Sequence, residues 1–292
     1  MKLVTSKKLP PCKIGRYLFH ANPDRLQDET ISAQGFSEIL SDIVISGTWK
    51  LTRGGRLIET QNKIIRFLDN KVKYRILDIG ASDGSTTCDL VSEITEKKGK
   101  AVDAIIADRF LFLDIYENKY VREYRTTDGT PILAKFGKFA LRLPRSEHKL
   151  AILTNMLIRL YLMSGFIRKG LIFKGKINLL SPVVRSCSSI QAREVDVMEV
   201  NRENTGSFDV IRASNVLLTI NFNNDQLAHI INNIFSMLNQ EGLLVISRNQ
   251  IENGQETERG SIWQKKGNTL SLLDEFGGGS EIGHLVNSIY QS

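Results

Sequence analysis

Cysteine is scarce in this chain. The 292 residues hold three, Cys12, Cys88 and Cys187, scattered and without a C-x-x-C pair. That argues against a disulfide framework and a thiolate zinc site, and it fits a reducing, cytoplasmic setting. The opening MKLVTSKKLPPCK lacks the apolar core of a secretory signal. Long apolar runs are also missing. The longest, Leu150 to Ile167, is broken by Thr154, Asn155, Arg159 and Ser164, which argues against a membrane span. Histidine is thin. His20, His148, His229 and His284 stand far apart, no cluster of metal-ligand residues accompanies them, and no metal is expected. What is present, 41% hydrophobic and 24% charged residues, is ordinary for a globular protein. It supports a core without staples, in one large α/β domain or one domain carrying an insertion.

The net charge of +7 is uneven. Residues 109–182 hold 14 Lys+Arg against 5 Asp+Glu, a net of +9, so the other 218 residues sum to −2. A basic segment on a near-neutral body reads as a solvated surface, or as a surface for an anionic substrate, an acidic membrane face or nucleic acid.

Apolar spacing predicts a short helix over 37–45, a loop over 46–55 and a helix over 56–69. Strands are expected at about 73–79 and 102–107, with a helix over 85–97 between them. The second strand is an almost unbroken apolar run, as burial on both faces requires. Such alternation argues for a parallel sheet with right-handed crossovers. It stops at 120–144, which reads as a hairpin around Asp128-Gly129. A long apolar helix over 147–167 and a strand over 171–180 follow. The pattern resumes with strands over 191–197 and 208–213, a helix over 224–239 and a strand over 242–247. Residues 249–260 read as a short polar link. A hairpin of 261–264 and 269–273 and a helix over 281–290 end the chain. The domain reading is thus an N-terminal helical lead-in and lid over 1–71 and a main domain over 72–292. A basic and apolar cap over 109–182 interrupts that domain after its second strand.

Ile76-Leu77-Asp78-Ile79-Gly80-Ala81-Ser82-Asp83-Gly84 is an apolar run that ends in an acid and turns through two glycines toward a helix. Glycine serves where a side chain would block approach or where φ must be positive, and a helix N-terminus suits a polar ligand. Asp108 closes the second strand and Asp196 the third. Phe208-Asp209-Val210-Ile211 then leads through Arg212 to Ala213-Ser214-Asn215-Val216-Leu217. In this order and separation the motifs resemble those of class I S-adenosylmethionine-dependent methyltransferases. Residues 208–217 are similar to the fourth strand of the chemotaxis-receptor-type carboxylate methyltransferases. The resemblance spans about 72–250. It implies an α/β fold: a Rossmann-like, mostly parallel seven-stranded sheet with helices on both faces and its last strand antiparallel, plus an inserted α+β cap after strand two. It implies S-adenosyl-L-methionine as cofactor, held by Asp78, Gly80, Ala81, Ser82 and Gly84 at the turn. Asp108 would take the ribose diol, Asp196 and Val197 would lie near the adenine, and Asn215 would lie at the cofactor and substrate edge. Arg212 stands two residues earlier than that family's arginine, and no role carries over to it.

Methyl transfer from a sulfonium is an in-line displacement on a donor that its own charge activates. The protein mainly positions the reactants and excludes water. A base is needed only where the acceptor carries a proton, and His148, at the start of the 147–167 helix, is the catalytic candidate. The shortage of bases favours an acceptor that ionises unaided, such as a carboxylate. The 147–167 helix is apolar over more surface than a one-sided helix needs, and arginines and lysines surround it. That suits an amphiphilic acid, fatty-acid-like or a secondary metabolite. Met156 and Arg159 on this helix, with Trp49 and Arg53 in the 46–55 loop, are the substrate-binding candidates. The other readings are a protein or peptide carboxylate methyltransferase, an RNA methyltransferase using the basic insertion, and a non-catalytic binding or scaffold protein. Peripheral membrane contact through 109–182 and a homodimer are further expectations, with nucleic acid less favoured.

Overall fold

The computed structural model describes residues 23–41, 43–45, 48–50, 54–137, 139–143, 152–199, 205–252 and 254–290. After a 3-10 turn at Pro23–Gln27, the elements are α1 (Ala33–Leu40), β1 (Val44–Ile45), β2 (Thr48–Trp49), α2 (Ile58–Phe67), β3 (Lys73–Ile79), α3 (Ser85–Lys98), β4 (Ala101–Asp108), β5 (Phe112–Glu117), β6 (Arg122–Thr126), β7 (Pro131–Phe136) and β8 (Phe139–Arg142). They continue as α4 (Ile152–Met163), α5 (Gly165–Arg168), β9 (Ile172–Asn178), α6 (Pro182–Arg185), β10 (Ile190–Glu194), β11 (Phe208–Ser214), α7 (Asn224–Met237), β12 (Leu238–Glu252), β13 (Gln255–Lys266), β14 (Thr269–Phe276) and α8 (Gly283–Tyr290). The chain divides into two compact units, residues 53–109 with 183–292 and residues 1–52 with 110–182. The division differs from the sequence reading. Helix α2 belongs to the unit of the large sheet, and residues 23–50 belong with the insertion.

The first unit is a seven-stranded sheet in the order β10-β4-β3-β11-β12-β13-β14. The first five strands are mutually parallel. Strand β13 runs antiparallel to β12, and β14 antiparallel to β13. The antiparallel member is therefore the sixth strand, not the last, because hairpins rather than helices join the final three. The polar stretch 249–260, read as a link, is the far end of that β12–β13 ribbon. Its side chains are mostly partly or fully exposed, so no apolar alternation marks it in the sequence.

Strand alternation sorts the core into two layers. Tyr74, Ile76, Val102, Ala104, Val210, Leu243 and Val245 meet Ile64 and Ile65 of α2 and Leu90, Val91 and Ile94 of α3. Leu77, Ile79, Ile105, Ile211, Ala213 and Leu244 meet Leu227, Ile230, Ile231 and Ile234 of α7 and Val286 of α8. Each Val, Leu or Ile so buried contributes roughly 1.5–3 kcal/mol, and helices cover both faces. Local signals set the ends. Gly99, at φ +62°, terminates α3, as left-handed C-caps do. Asn223 and Gln226 form a reciprocal capping box on α7. Helix α2 has no side-chain cap of its own; Glu258 from β13 accepts from the backbone N–H groups of Glu59 and Thr60 instead. Lys265 donates to the Phe235 and Leu238 carbonyls at the end of α7, and burial pushes its pKa down.

The second unit holds a five-stranded antiparallel sheet, β8-β7-β6-β5-β9. Leu26, Phe36 and Leu40 cover one side of it through Leu113, Tyr124 and Ile177. Ile158 and Tyr161 of α4 pack with Val121, Ala134 and Leu141. The helix read over 37–45 is shifted: Ser32 accepts from Gly35 N and starts α1 at Ala33, and Val44–Ile45 pairs with Thr48–Trp49. Glu123, with no side-chain exposure, accepts from Arg125, Arg168 and Tyr161. Asp24 accepts from Tyr124 and Lys135.

Burial alone would raise both carboxyl pKa values. For Glu123 the hydrogen bonds from Arg168, Tyr161 and Arg125 outweigh it, and for Asp24 those from Lys135 and Tyr124 do, so both sit below the ordinary range. A depressed carboxyl stabilises the fold above its unfolded value and loses that contribution as pH falls through the folded value. Thermal unfolding followed from pH 7 down is therefore expected to show stability falling below about pH 4.5, the ordinary glutamate value. Glu123→Gln is expected to be less stable at pH 7 and to show a flatter acid limb.

Candidate functional site

The strand order reverses between β3 and β11: the chain leaves β3 for β4 on one side and returns as β11 on the other. In an open α/β sheet this switch point, at the carboxyl ends of the strands, opens the ligand crevice. The glycine turn, 80–84, leaves β3 there, and the 214–217 segment leaves β11 beside it.

The turn is built by backbone conformation. Gly80, Ser82 and Gly84 all have positive φ, at +68°, +59° and +77°. For serine that is uncommon and marks a held turn. Gly80 N–H donates to the Ala107 carbonyl at 2.6 Å. A Cβ on Gly80 would collide with Val216 Cγ2, and one on Gly84 with Ile106 Cδ1. Both glycines therefore let neighbouring chain sit close, and Val216 packs directly on Gly80. Asp83 is buried and accepts from the N–H and hydroxyl of Ser85 at the start of α3.

Asp78 lies under the turn and not on its rim. It is 1% exposed. Its carboxylate accepts from Arg212 Nε at 3.0 Å, from Arg212 Nη2 and from Thr87. Arg212 is fully buried and also donates from Nη2 to Thr86 Oγ1 at 3.1 Å. Both charged residues point to the α2/α3 face, since each has the strand parity of the core residues two positions away, Ile76 and Val210. This pair joins β3, β11 and the first turn of α3. Asp209 of the same 208–211 motif sits at the amino end of β11, where it accepts from Lys71, Arg75 N and Asn239. Its role there is to tie strand starts together.

The remaining candidates of this unit line the carboxyl edge. Asp108 is half-buried and accepts from Ser82 N–H at 2.9 Å. Asp196 lies two residues beyond the end of β10; it accepts from Met198 N–H and faces Arg109 Nε at 3.5 Å. Val197 and Met198 are partly buried against the α7 layer. Asn215 has φ +62°. Its side chain accepts from Asn249 N–H at 2.8 Å and donates to Asn249 Oδ1 at 3.2 Å. Ala81 is buried in the turn.

The structure thus brings together Gly80, Ser82, Asp108 and Val216, with Asn215 next in sequence. Arg212, Val216 and Asn249 were missed as participants. Arg212 carried a signal, a charged residue inside an apolar strand; Asn249 carried none. An open groove of about 720 Å³ runs beside α2 and the ribbon, lined by Arg56, Lys63, Arg66, Asn249 and Glu256 among others.

Met156 and Arg159 are exposed on α4, in the other unit. Lys50, in the loop expected to close over the site, is buried and donates to the Phe110 carbonyl at 2.8 Å. Arg53, His148 and the Trp49 side chain lie outside the described residues. His229 places Nε2 3.1 Å from the Met198 carbonyl oxygen. Among the described residues, no group of three or more His, Cys, Asp or Glu is placed to hold a metal.

The residue types at this edge offer a sulfonium nucleoside a carboxylate at the end of β4 and apolar Val197 and Met198 beyond β10, while the Gly80, Ser82 and Gly84 N–H groups are donated within the protein to Ala107, Asp108 and Ala81. Val216 fills the space over Gly80, so the turn offers its rim and not a hollow above that glycine.

No family model matches the chain, and no curated protein matches it in sequence. Among solved structures it is similar to the CMeT domain of the citrinin polyketide synthase, at 13% identity and a TM-score of 0.36, covering 68% of this chain and 36% of that one. It is also similar to the trans-methyltransferase CalH in complex with SAH, at 16% identity and a TM-score of 0.33, covering 67% and 36%. A third is the [4+2]-cyclase SpnF, at 13% identity and a TM-score of 0.31, covering 68% and 47%. The chain thus spans about a third to a half of the length of these proteins. Likeness at this level carries no conclusion about activity, and these proteins differ in theirs.

Two substitutions test how the edge is held. Arg212→Met is expected to strand a buried carboxylate and lower unfolding free energy by about 3–5 kcal/mol; in urea titrations, Asp78→Asn added to it should recover part of the loss. Gly80→Ala is expected to cost about 2–4 kcal/mol from overpacking and left-handed strain, and Val216→Ala in the same chain should relieve the overpacking share.

Proposed function

We propose that this chain is an S-adenosylmethionine-dependent O-methyltransferase whose acceptor is the carboxylate of an amphiphilic small-molecule acid. The observation that carries the reading is the pairing of a positive-φ glycine turn with an acid at the switch point of the sheet, Asp108 bonded to Ser82 N–H. The positive dipole end of α3 suits the donor's carboxylate end. Asp108 suits a vicinal diol, because a carboxylate accepts two hydrogen bonds side by side. Val197 and Met198 offer an apolar bed for a purine, and Asn215 stands nearest the acceptor side. Asp78 supports the turn through Arg212 and takes no ligand.

When bound, the cofactor would supply an electrophilic methyl group. The chain's part is then to bind, orient and keep water out. A carboxylate acceptor needs no proton removed near neutral pH, which agrees with a chain whose histidines are few and dispersed.

Calorimetry with S-adenosylmethionine is expected to show binding that Asp108→Ala weakens by about 1.5–3 kcal/mol, since a charge-assisted acceptor is lost. Mass spectrometry of small-molecule extracts incubated with enzyme and donor should show an acid gaining one methyl. Absence of donor binding by the intact chain would refute the reading. Binding without any methylated acid would leave the cofactor assignment and refute the acceptor class.

A further inference from the structure

Helix α4 turns only one side inward. Ile158 and Tyr161 are buried, while Met156, Leu160 and Met163, at spacings of four and three, stand 51%, 57% and 73% exposed. The apolar exposure continues past the helix. Phe166 of α5 is 74% exposed and lies against Tyr120, ring centres 5.7 Å apart. Phe139 of β8 is 59% exposed. It shares with Leu157, Leu160 and Phe136 an open apolar groove of about 540 Å³. A contiguous face of this kind on a globular unit marks a contact with something apolar.

Its rim is cationic. Arg159 is exposed on α4, three residues from Met156 and four from Met163. Lys169 follows α5 directly, and Asn118 fixes the neighbouring turn by donating to the Ile167 and Lys169 carbonyls. Lys119, in that turn, lies over the Tyr120 ring at 4.7 Å. Three acids of this unit are drawn into its own pairs. Glu123 serves Arg125 and Arg168, and Asp24 and Glu117 serve Arg122. The outward field is therefore positive, in keeping with 14 Lys+Arg against 5 Asp+Glu over 109–182.

We propose that the outward face of α4 and α5, with the 118–120 turn, docks this chain peripherally on an anionic phospholipid bilayer. Exposed aliphatic and aromatic side chains enter the boundary between headgroups and acyl chains, and the surrounding Arg159, Lys169 and Lys119 meet the lipid phosphates. The charge selects this occupant. A second copy would set the same cations against each other across a self-complementary contact. A nucleic-acid strand would leave Met156, Leu160 and Met163 without a stacking or apolar partner. Helix α4 has 12 residues, and among the described residues no helix is long and apolar enough to cross a membrane. The contact therefore lies along the surface.

The full chain, mixed with phosphatidylcholine vesicles with and without phosphatidylglycerol, tests this by co-sedimentation. Binding is expected to be about tenfold or more tighter with phosphatidylglycerol and to weaken as salt rises. Leu160→Asp with Phe166→Asp should abolish it without changing the thermal melt, because both residues are exposed. Arg159→Glu with Lys169→Glu should remove the lipid preference. The proposal is overturned if neither vesicle binds, or if both paired variants bind as the parent does. A dimer in light scattering that Leu160→Asp dissolves, or salt-sensitive RNA binding, would also overturn it if vesicles are not bound. Sedimentation needs no methyl donor, so its outcome is separate from that of the proposed reaction.

Discussion

The buried pairing of Asp78 with Arg212 is the constraint on which the carboxyl edge depends. Two charges removed from water are costly unless each is met by the other and by further hydrogen bonds. Here Thr86 and Thr87 supply further bonds from the first turn of α3, leaving Arg212 Nη1 as the atom of the pair without a partner among the described residues. Three elements that diverge at the switch point, β3, β11 and α3, are thereby held at one place. With that spacing set, Val216 seats on Gly80, and the turn reaches across to Asp108 through Ser82 N–H. Polar satisfaction below the edge thus fixes backbone geometry upon it.

Much of this was legible in the sequence, and the limits have physical causes. Strands β3 and β4 fall within a residue of their expected bounds, because unbroken apolar runs bounded by charge leave little freedom of register. The glycine turn was legible for the same reason that it works, since few residues tolerate its φ values. The role of Asp78 was not legible. Its partner is 134 positions away, and only the pairing of β3 with β11 brings Arg212 to it. The β12–β13 ribbon was missed because water reaches its outer half, so Glu256 and Glu258 alternate with no apolar residue. Glu258 is nevertheless what caps α2. Residues 23–50 were read as part of an N-terminal lead-in and lid over 1–71, although their anchors, Asp24 to Tyr124 and Lys50 to Phe110, belong to a segment beyond β4.

The two units divide the chemistry. The sheet unit is nearly balanced in charge and spends its buried ionic groups on holding a crevice. The other unit pairs Asp24, Glu117 and Glu123 internally and turns cations and apolar side chains outward. A fold of this kind hosts many reactions, so the functional reading rests on the residues at the edge. The Asp78–Arg212 pair, Gly80 and Asp108 hold the backbone of that edge in place.

Amide hydrogen exchange of the chain with and without S-adenosylhomocysteine tests the central claim most directly. Slowed exchange confined to the 80–84 turn, Asp108 and the 214–217 segment is expected, because ligand at the switch point would hold those segments against local opening. Unchanged exchange there, or protection only along the groove beside α2, would contradict it.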